Sequence, residues 1–129
     1  MTGERQNLGR RGETAAQRYL ERRGVRVLTT NYTCAAGEID LIGRTPDALI
    51  FFEVKTRRSV AFGPPHLAVH YQKQRQIVRA AQWYLTEGRV ADVACRFDVI
   101  AVTFAGDDEV PHIEWVQDAF PAEGVRLWG

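Results

Sequence analysis

Apolar positions along the chain fall into two helical stretches and five extended ones. In residues 8–23, Leu8, Gly12, Ala15, Ala16, Tyr19 and Leu20 recur at the spacing that lines one face of a helix, and Gly24 stands where a C-terminal cap would. Residues 25–32 have the β-branched and aromatic content of a strand, and Ala36-Gly37 ends the short connection after it. Two more apolar runs, 39–42 and 49–55, flank Gly43-Arg44-Thr45-Pro46-Asp47-Ala48 and predict a hairpin. After the breakers Gly63-Pro64-Pro65, residues 67–87 place Ile77, Ala81, Tyr84 and Leu85 on one stripe and stop before Gly88, which predicts a second helix. Residues 96–104 then predict a strand, Gly106-Asp107-Asp108 a turn, and 112–116 a partner strand.

The resulting order, α-β-β-β-α-β-β, implies an α/β fold in which a mixed sheet is flanked by helices. No repeat, low-complexity tract or linker interrupts it. A chain of 129 residues with 45% hydrophobic composition suffices for one continuous core, so residues 1–129 are expected to form a single domain. No apolar run approaches bilayer length, and the opening Met1-Thr2-Gly3-Glu4-Arg5-Gln6-Asn7 lacks the apolar stretch of a secretory signal. The expectation is a cytoplasmic protein without a membrane partner. Cys34 and Cys95 stand far apart with no CxxC pair, which argues against a disulfide scaffold or a thiolate zinc site and reads both as small apolar residues.

A net charge of +1 conceals an asymmetry along the chain. Residues 1–90 carry 15 Lys/Arg against 8 Asp/Glu, whereas residues 91–129 carry 2 against 8, for excesses of +7 and −6. Composition leaves two readings open: charges mixed over the surface in three dimensions, or a basic face that neutralises phosphates.

Candidate chemistry begins on the run 49–55. A strand presents alternate residues to one face, so Glu53 and Lys55 point together. If the preceding hairpin pivots near Pro46-Asp47, antiparallel partners have numbers that sum to about 93, which sets Asp40 opposite Glu53; a slip of one would set it opposite Phe52. Facing carboxylates about 5 Å apart repel, more so among apolar neighbours such as Ile39, Leu41, Phe51 and Phe52. Such a pair wants a cation. Lys55 supplies part of it, and a hard divalent ion such as Mg²⁺ would supply more. From spacing alone, an ordinary ion pair at a strand end explains acid-x-Lys at least as well. Glu13 shares a stripe with Ala16 and Leu20, which puts it within reach as a third ligand or water orienter, or else leaves it exposed in a first helical turn. Gly9 and Gly12 are unfavourable inside a helix, and mark either a close backbone approach or a late helix start.

The strings Gly12-Glu13, Asn31-Tyr32, Gly37-Glu38-Ile39-Asp40-Leu41-Ile42, Phe52-Glu53-Val54-Lys55-Thr56-Arg57, Lys73, Arg96-Phe97-Asp98 and Ala119-Phe120 together resemble the YraN-like family of small bacterial proteins, over nearly the whole chain. That family resembles a branch of the PD-(D/E)xK nucleases related to archaeal Holliday junction resolvases. The resemblance implies a restriction-endonuclease-like fold and a single nuclease-like domain. By position it makes Asp40 and Glu53 metal ligands, Glu13 the first-helix acid and further ligand, and Lys55 the residue beside the attacking water and scissile phosphate. It also implies Mg²⁺ or Mn²⁺ as cofactor and hydrolysis of phosphodiester bonds in DNA, with branched or structured DNA as the analogous substrate. A homodimer would suit symmetric cleavage of a junction. The Pro that usually precedes the first acid of the signature is replaced here by Ile39. The alternative is a nucleic-acid-binding module that keeps the fold, cleaves little and acts with a partner protein.

Other residues carry weaker signals. Arg57 and Arg58 follow the acid-x-Lys strand, and Lys73, Arg75 and Arg79 lie on the polar side of the second helix; each is either a phosphate contact or solvated charge. His66 and His70 are four apart but lack a third ligand, so surface histidines are the better reading. Trp83, Tyr84 and Trp115 are expected in the core, with Trp128 as a further aromatic surface. Asp98 is expected to fix the sheet by hydrogen bonding without a catalytic role.

Overall fold

Helix α1 (Thr2–Arg22) opens the chain, beginning a turn and a half before the apolar stripe does. Glu4 near its start and Arg22 in its last turn both suit the helix dipole, which explains why the polar segment ahead of Leu8 is helical too. Its end is a Schellman motif: the Val25 N–H donates to the Leu20 carbonyl, the Gly24 N–H donates to that of Glu21, and Gly24 takes φ +86°. The computed structural model describes residues 2–59, 69–90, 92–106 and 110–122, so Gly63-Pro64-Pro65, His66, Leu67, Asp107, Asp108 and Trp128 lie outside the described residues.

Five strands follow: β1 (Arg26–Cys34), β2 (Gly37–Arg44), β3 (Leu49–Arg57), β4 (Cys95–Thr103) and β5 (His112–Val116), with α2 (Tyr71–Glu87) between β3 and β4. They form one sheet in sequential order. Only β3 and β4 are parallel, because only they are joined by a helical crossover; the other neighbours are antiparallel. The mixed sheet and the order α-β-β-β-α-β-β are those expected from the sequence and fit an α/β restriction-endonuclease-like fold. Helix α2 starts at Tyr71, four residues after the expected start at residue 67, and the left-handed residue at its end is Arg89 at φ +51°, with Gly88 right-handed at φ −82°.

Each face of the sheet has its own core. Ile77, Val78, Ala81 and Leu85 of α2 pack with Leu49, Phe51, Phe97 and Val99, whereas Ala16 and Leu20 of α1 pack with Ile50, Phe52, Val54, Ile100 and Val102. Strand β3 is therefore buried on both sides, as its unbroken apolar run requires. Among the described residues, no helix is long and apolar enough to cross a membrane.

Gly12 brings α1 directly onto β3. A Cβ there would sit 1.8 Å from Thr56 Oγ1, so only glycine permits this approach, whereas a Cβ on Gly9 would meet nothing within 4 Å. The close contact is thus the reason for Gly12 and not for Gly9. Trp83 departs from the expected core position: it is 48% exposed on the outer side of α2, one residue before Tyr84, which packs against the core.

Candidate active site

The hairpin between β2 and β3 sets the register of the candidate site. Thr45 closes the turn, its N–H donating to the Ala48 carbonyl and its hydroxyl accepting from the Asp47 and Ala48 N–H groups. The ladder then pairs Leu41 with Phe52 and Ile42 with Phe51, the sum of 93 inferred from the sequence. Pairing stops at that point. Beyond it, β2 continues along β1 through Ile39 with Tyr32 and Glu38 with Thr33, while β3 continues along β4 through Glu53 with Val99 to Arg57 with Thr103. A wedge opens between β2 and β3, and Asp40 and Glu53 are the next residues in register at its apex.

A local break in strand geometry aims Asp40 into this wedge. Opposite it on β1, Asn31 has φ +51°, a left-handed conformation that Asn tolerates better than most residues. The pairing leaves out Asn31 and Asp40 but keeps its register on either side, Thr30 with Leu41 and Tyr32 with Ile39, with the register shift further along between Val27 and Thr29; the alternation of β2 changes phase at Asp40. On β2, Ile39 and Ile42 reach the α2 core and Leu41 the α1 core, whereas Val27 on the α1 side and Tyr32 on the α2 side keep the ordinary alternation of β1. This break in the alternation of β2 re-aims the side chain that lies between Ile39 and Leu41. The Asp40 Oδ2 atom accepts from the Val54 N–H at 2.8 Å and so satisfies a donor that the diverging strand leaves without a ladder partner.

Electrostatically, the apex is overloaded with negative charge. Glu53 is 6% exposed. Burial, the Glu53 carboxylate and, more weakly, Glu13 push the pKa of Asp40 up from 3.8 to about 7, against the lowering effects of the Val54 N–H and Lys73. Glu53 is raised as well, chiefly by burial, with Glu38 adding to the rise and Lys73 and Lys55 opposing it. The Lys55 Nζ atom lies 3.7 Å from Glu53 Oε1, with a third of its side chain exposed toward solvent. The geometry thus gathers Asp40, Glu53 and Lys55, and it adds Lys73 from the first turns of α2 as a second local cation.

Glu13 is half-buried on α1, near enough to act on Asp40 through charge. Among the described residues, no three His, Cys, Asp or Glu side chains converge closely enough to hold a metal, so the donor set is the Asp40–Glu53 pair with Glu13 standing further off. A pair suits Mg²⁺ or Mn²⁺, which commonly takes one or two carboxylates and completes its shell with water and phosphate oxygens. The Oδ1 atom of Asp40 makes no hydrogen bond among the described residues, which leaves it able to serve as a ligand.

The remaining candidates are spread more widely. Arg57 is half-buried and Arg58 exposed at the end of β3. Arg75 stacks on Tyr71 of its own helix and donates to its hydroxyl at 3.2 Å, and Arg79 is exposed beside Trp83. His70 occupies the N-cap position of α2 without a side-chain capping bond. Asp98, fully buried, accepts from Arg96 Nε at 2.9 Å, Trp115 Nε1 at 2.8 Å and the Asp118 N–H at 2.8 Å. A carboxylate so fully satisfied ties β4 to β5 and has no capacity left for catalysis. Sequence reasoning placed Lys73 only among phosphate contacts and passed over Glu38. The alternation of Glu38 with Asp40 on one strand offered a signal for the latter.

Comparison with known proteins covers this whole region. A family model described as "Uncharacterised protein family UPF0102" matches residues 12–102, from the Gly12 contact to near the end of β4. The chain is similar to a UPF0102 protein of Syntrophotalea carbinolica, 48% identical over 124 residues, covering 96% of this chain and 99% of the relative. It is also similar to UPF0102 proteins of Geobacter metallireducens, 45% identical with coverage of 93% and 97%, and Geobacter sulfurreducens, 48% identical with 88% of each chain covered.

Proposed function

Because the chain belongs to the uncharacterised protein family UPF0102, whose name carries no activity, we propose its function from the site: a divalent-metal-dependent endonuclease that hydrolyses phosphodiester bonds in DNA. The observation that carries this reading is the Asp40–Glu53 pair at the apex of a sheet wedge, Glu53 buried and Asp40 half-buried, with Lys55 and Lys73 beside it. Two acids that repel each other away from bulk water favour a cation between them, and the site opens toward solvent on the side where Lys55 is part-exposed.

When bound, Mg²⁺ or Mn²⁺ would supply Lewis acidity toward the phosphodiester and lower the pKa of a water. The protein's own part is positional. Asp40 is fixed by the Val54 N–H through one oxygen, and Glu53 is restrained by Lys55. The Lys55 ammonium group, on the solvent side of Glu53, stabilises negative charge developing on the phosphate. Lys73 limits repulsion between the acids, and Glu13 orients water from the α1 side. Branched or structured DNA is the substrate class by analogy with the junction resolvases to which the sequence resemblance leads.

A nucleic-acid-binding module with little cleavage is the second reading. It draws on the separation of Glu13 from the carboxylate pair. The two are distinguished by incubating the protein with single-stranded, duplex and four-way-junction DNA in Mg²⁺ or Mn²⁺, beside Asp40→Ala and Lys55→Ala. The nuclease reading expects cleavage by wild type that both substitutions abolish. Cleavage that survives both would remove the site, and binding without cleavage by wild type would establish the module.

A further inference from the structure

Away from the wedge, α1 borders a second concave surface. Arg10, Arg11, Arg18 and Arg22 line a groove of about 540 Å³ together with Tyr19 of the same helix and Phe104 just beyond β4. All four arginines are exposed, no Asp or Glu lines the groove among the described residues, and no ion pair there engages any of the four. Arg18 and Arg22 are one turn apart, where like charges repel. The Arg11 guanidinium is held 4.5 Å from the centre of the Phe104 ring, and Arg23, just past the groove, lies 3.7 Å from that of Tyr19. Stacking on aromatic rings orders guanidinium groups without neutralising them. At 3.6 residues per turn, Arg11, Arg18 and Arg22 lie on the opposite flank of α1 from Glu13, with Arg10 at the edge between them.

We propose that this groove holds the sugar–phosphate backbone of a nucleic acid, on a flank separate from the cleavage wedge. From Arg11 to Arg22 the helix rises about 16 Å, close to the rise of five nucleotides along one strand of a duplex. Planar guanidinium groups suit phosphate oxygens, and among the described residues the groove offers them without an acid in its lining. A substrate with more than one arm can then occupy wedge and groove together. The proposal rests on the nucleic-acid part of the preceding reading and needs no cleavage.

The test is anisotropy of a labelled four-way DNA junction titrated with protein over a range of KCl concentrations, in EDTA so that binding is read without hydrolysis. In Arg18→Gln/Arg22→Gln, loss of two phosphate contacts reduces the slope of log affinity against log salt by about 1.8 and weakens binding at 0.1 M salt by some tens of fold, roughly. Arg26→Gln/Arg89→Gln removes the same charge from two other exposed positions and leaves the slope as in wild type. An unchanged slope in the first pair, or an equal fall in the second, overturns the groove. Cleavage in Mg²⁺ with an unchanged slope removes the groove and leaves the nuclease; the expected slope change without cleavage does the reverse. Capture of anionic phospholipid vesicles in preference to DNA, lost in the first pair, reassigns the groove to lipid and overturns the proposal.

Discussion

Replacing Asp40 by Asn should stabilise the metal-free protein, and the size of the gain should depend on pH. The amide oxygen of Asn still accepts the Val54 N–H bond, while the charge that burial and Glu53 oppose is gone. Asp40 holds its proton to about pH 7 when folded, against 3.8 for an ordinary aspartate. Between those values the folded state binds a proton that the unfolded chain releases. Stability of the wild type therefore falls as pH rises from about 4 to about 7 and levels off above, because both states are then ionised. About three pKa units at 1.36 kcal/mol each set the loss near 4 kcal/mol. Relief of the neighbouring Glu53 acts in the same direction. Urea denaturation in EDTA, followed by circular dichroism, should find Asp40→Asn more stable by roughly 2–4 kcal/mol near pH 8 and nearly equal to wild type near pH 4. A variant no more stable than wild type near pH 8, or an advantage that does not shrink on acidification, would refute the reasoning.

Gly12→Ala gains about 1 kcal/mol of helix propensity but drives a Cβ into Thr56, so urea melts should show a net loss of about 2 kcal/mol or more, partly recovered in Gly12→Ala/Thr56→Ala. At the left-handed Asn31, a Val should lower stability by about 1–2 kcal/mol and a Gly by only a few tenths, measured the same way. Asp98→Ala leaves Arg96, Trp115 and the Asp118 N–H without their acceptor, and thermal unfolding should report a loss of about 3–5 kcal/mol.

Most of the scaffold was legible because the signals are local. Helix and strand periods, the Gly24 cap and the Pro46-Asp47 turn fix the element order, and the turn in turn fixes which β2 residues meet which on β3. What escaped depends on where strands part company. Nothing in the alternation of residues 25–32 announces that Asn31 leaves the β region, so neither the change of phase at Asp40 nor its bond to Val54 follows from pattern. Lys73 reads as one more exposed helical cation until the crossover lays the start of α2 over the wedge. Trp83 shows the opposite error: aromatic identity suggested burial, while the stripe of Ile77, Ala81 and Leu85 already leaves its position on the outer face. The groove beside α1 went unseen because Phe104 comes from a strand end more than 80 residues away from the nearest arginine, Arg22.

The account stands or falls on whether Asp40 and Glu53 together hold a divalent cation. Calorimetric titration of Mn²⁺ into the protein without nucleic acid, at about pH 8 and so above the range in which Asp40 holds its proton, tests this directly. Wild type should bind one ion per chain, and Asp40→Asn and Glu53→Gln, each still folded by circular dichroism, should each bind at least tenfold more weakly. Wild-type protein that takes up no ion, or binding that both substitutions leave unchanged, would contradict the account.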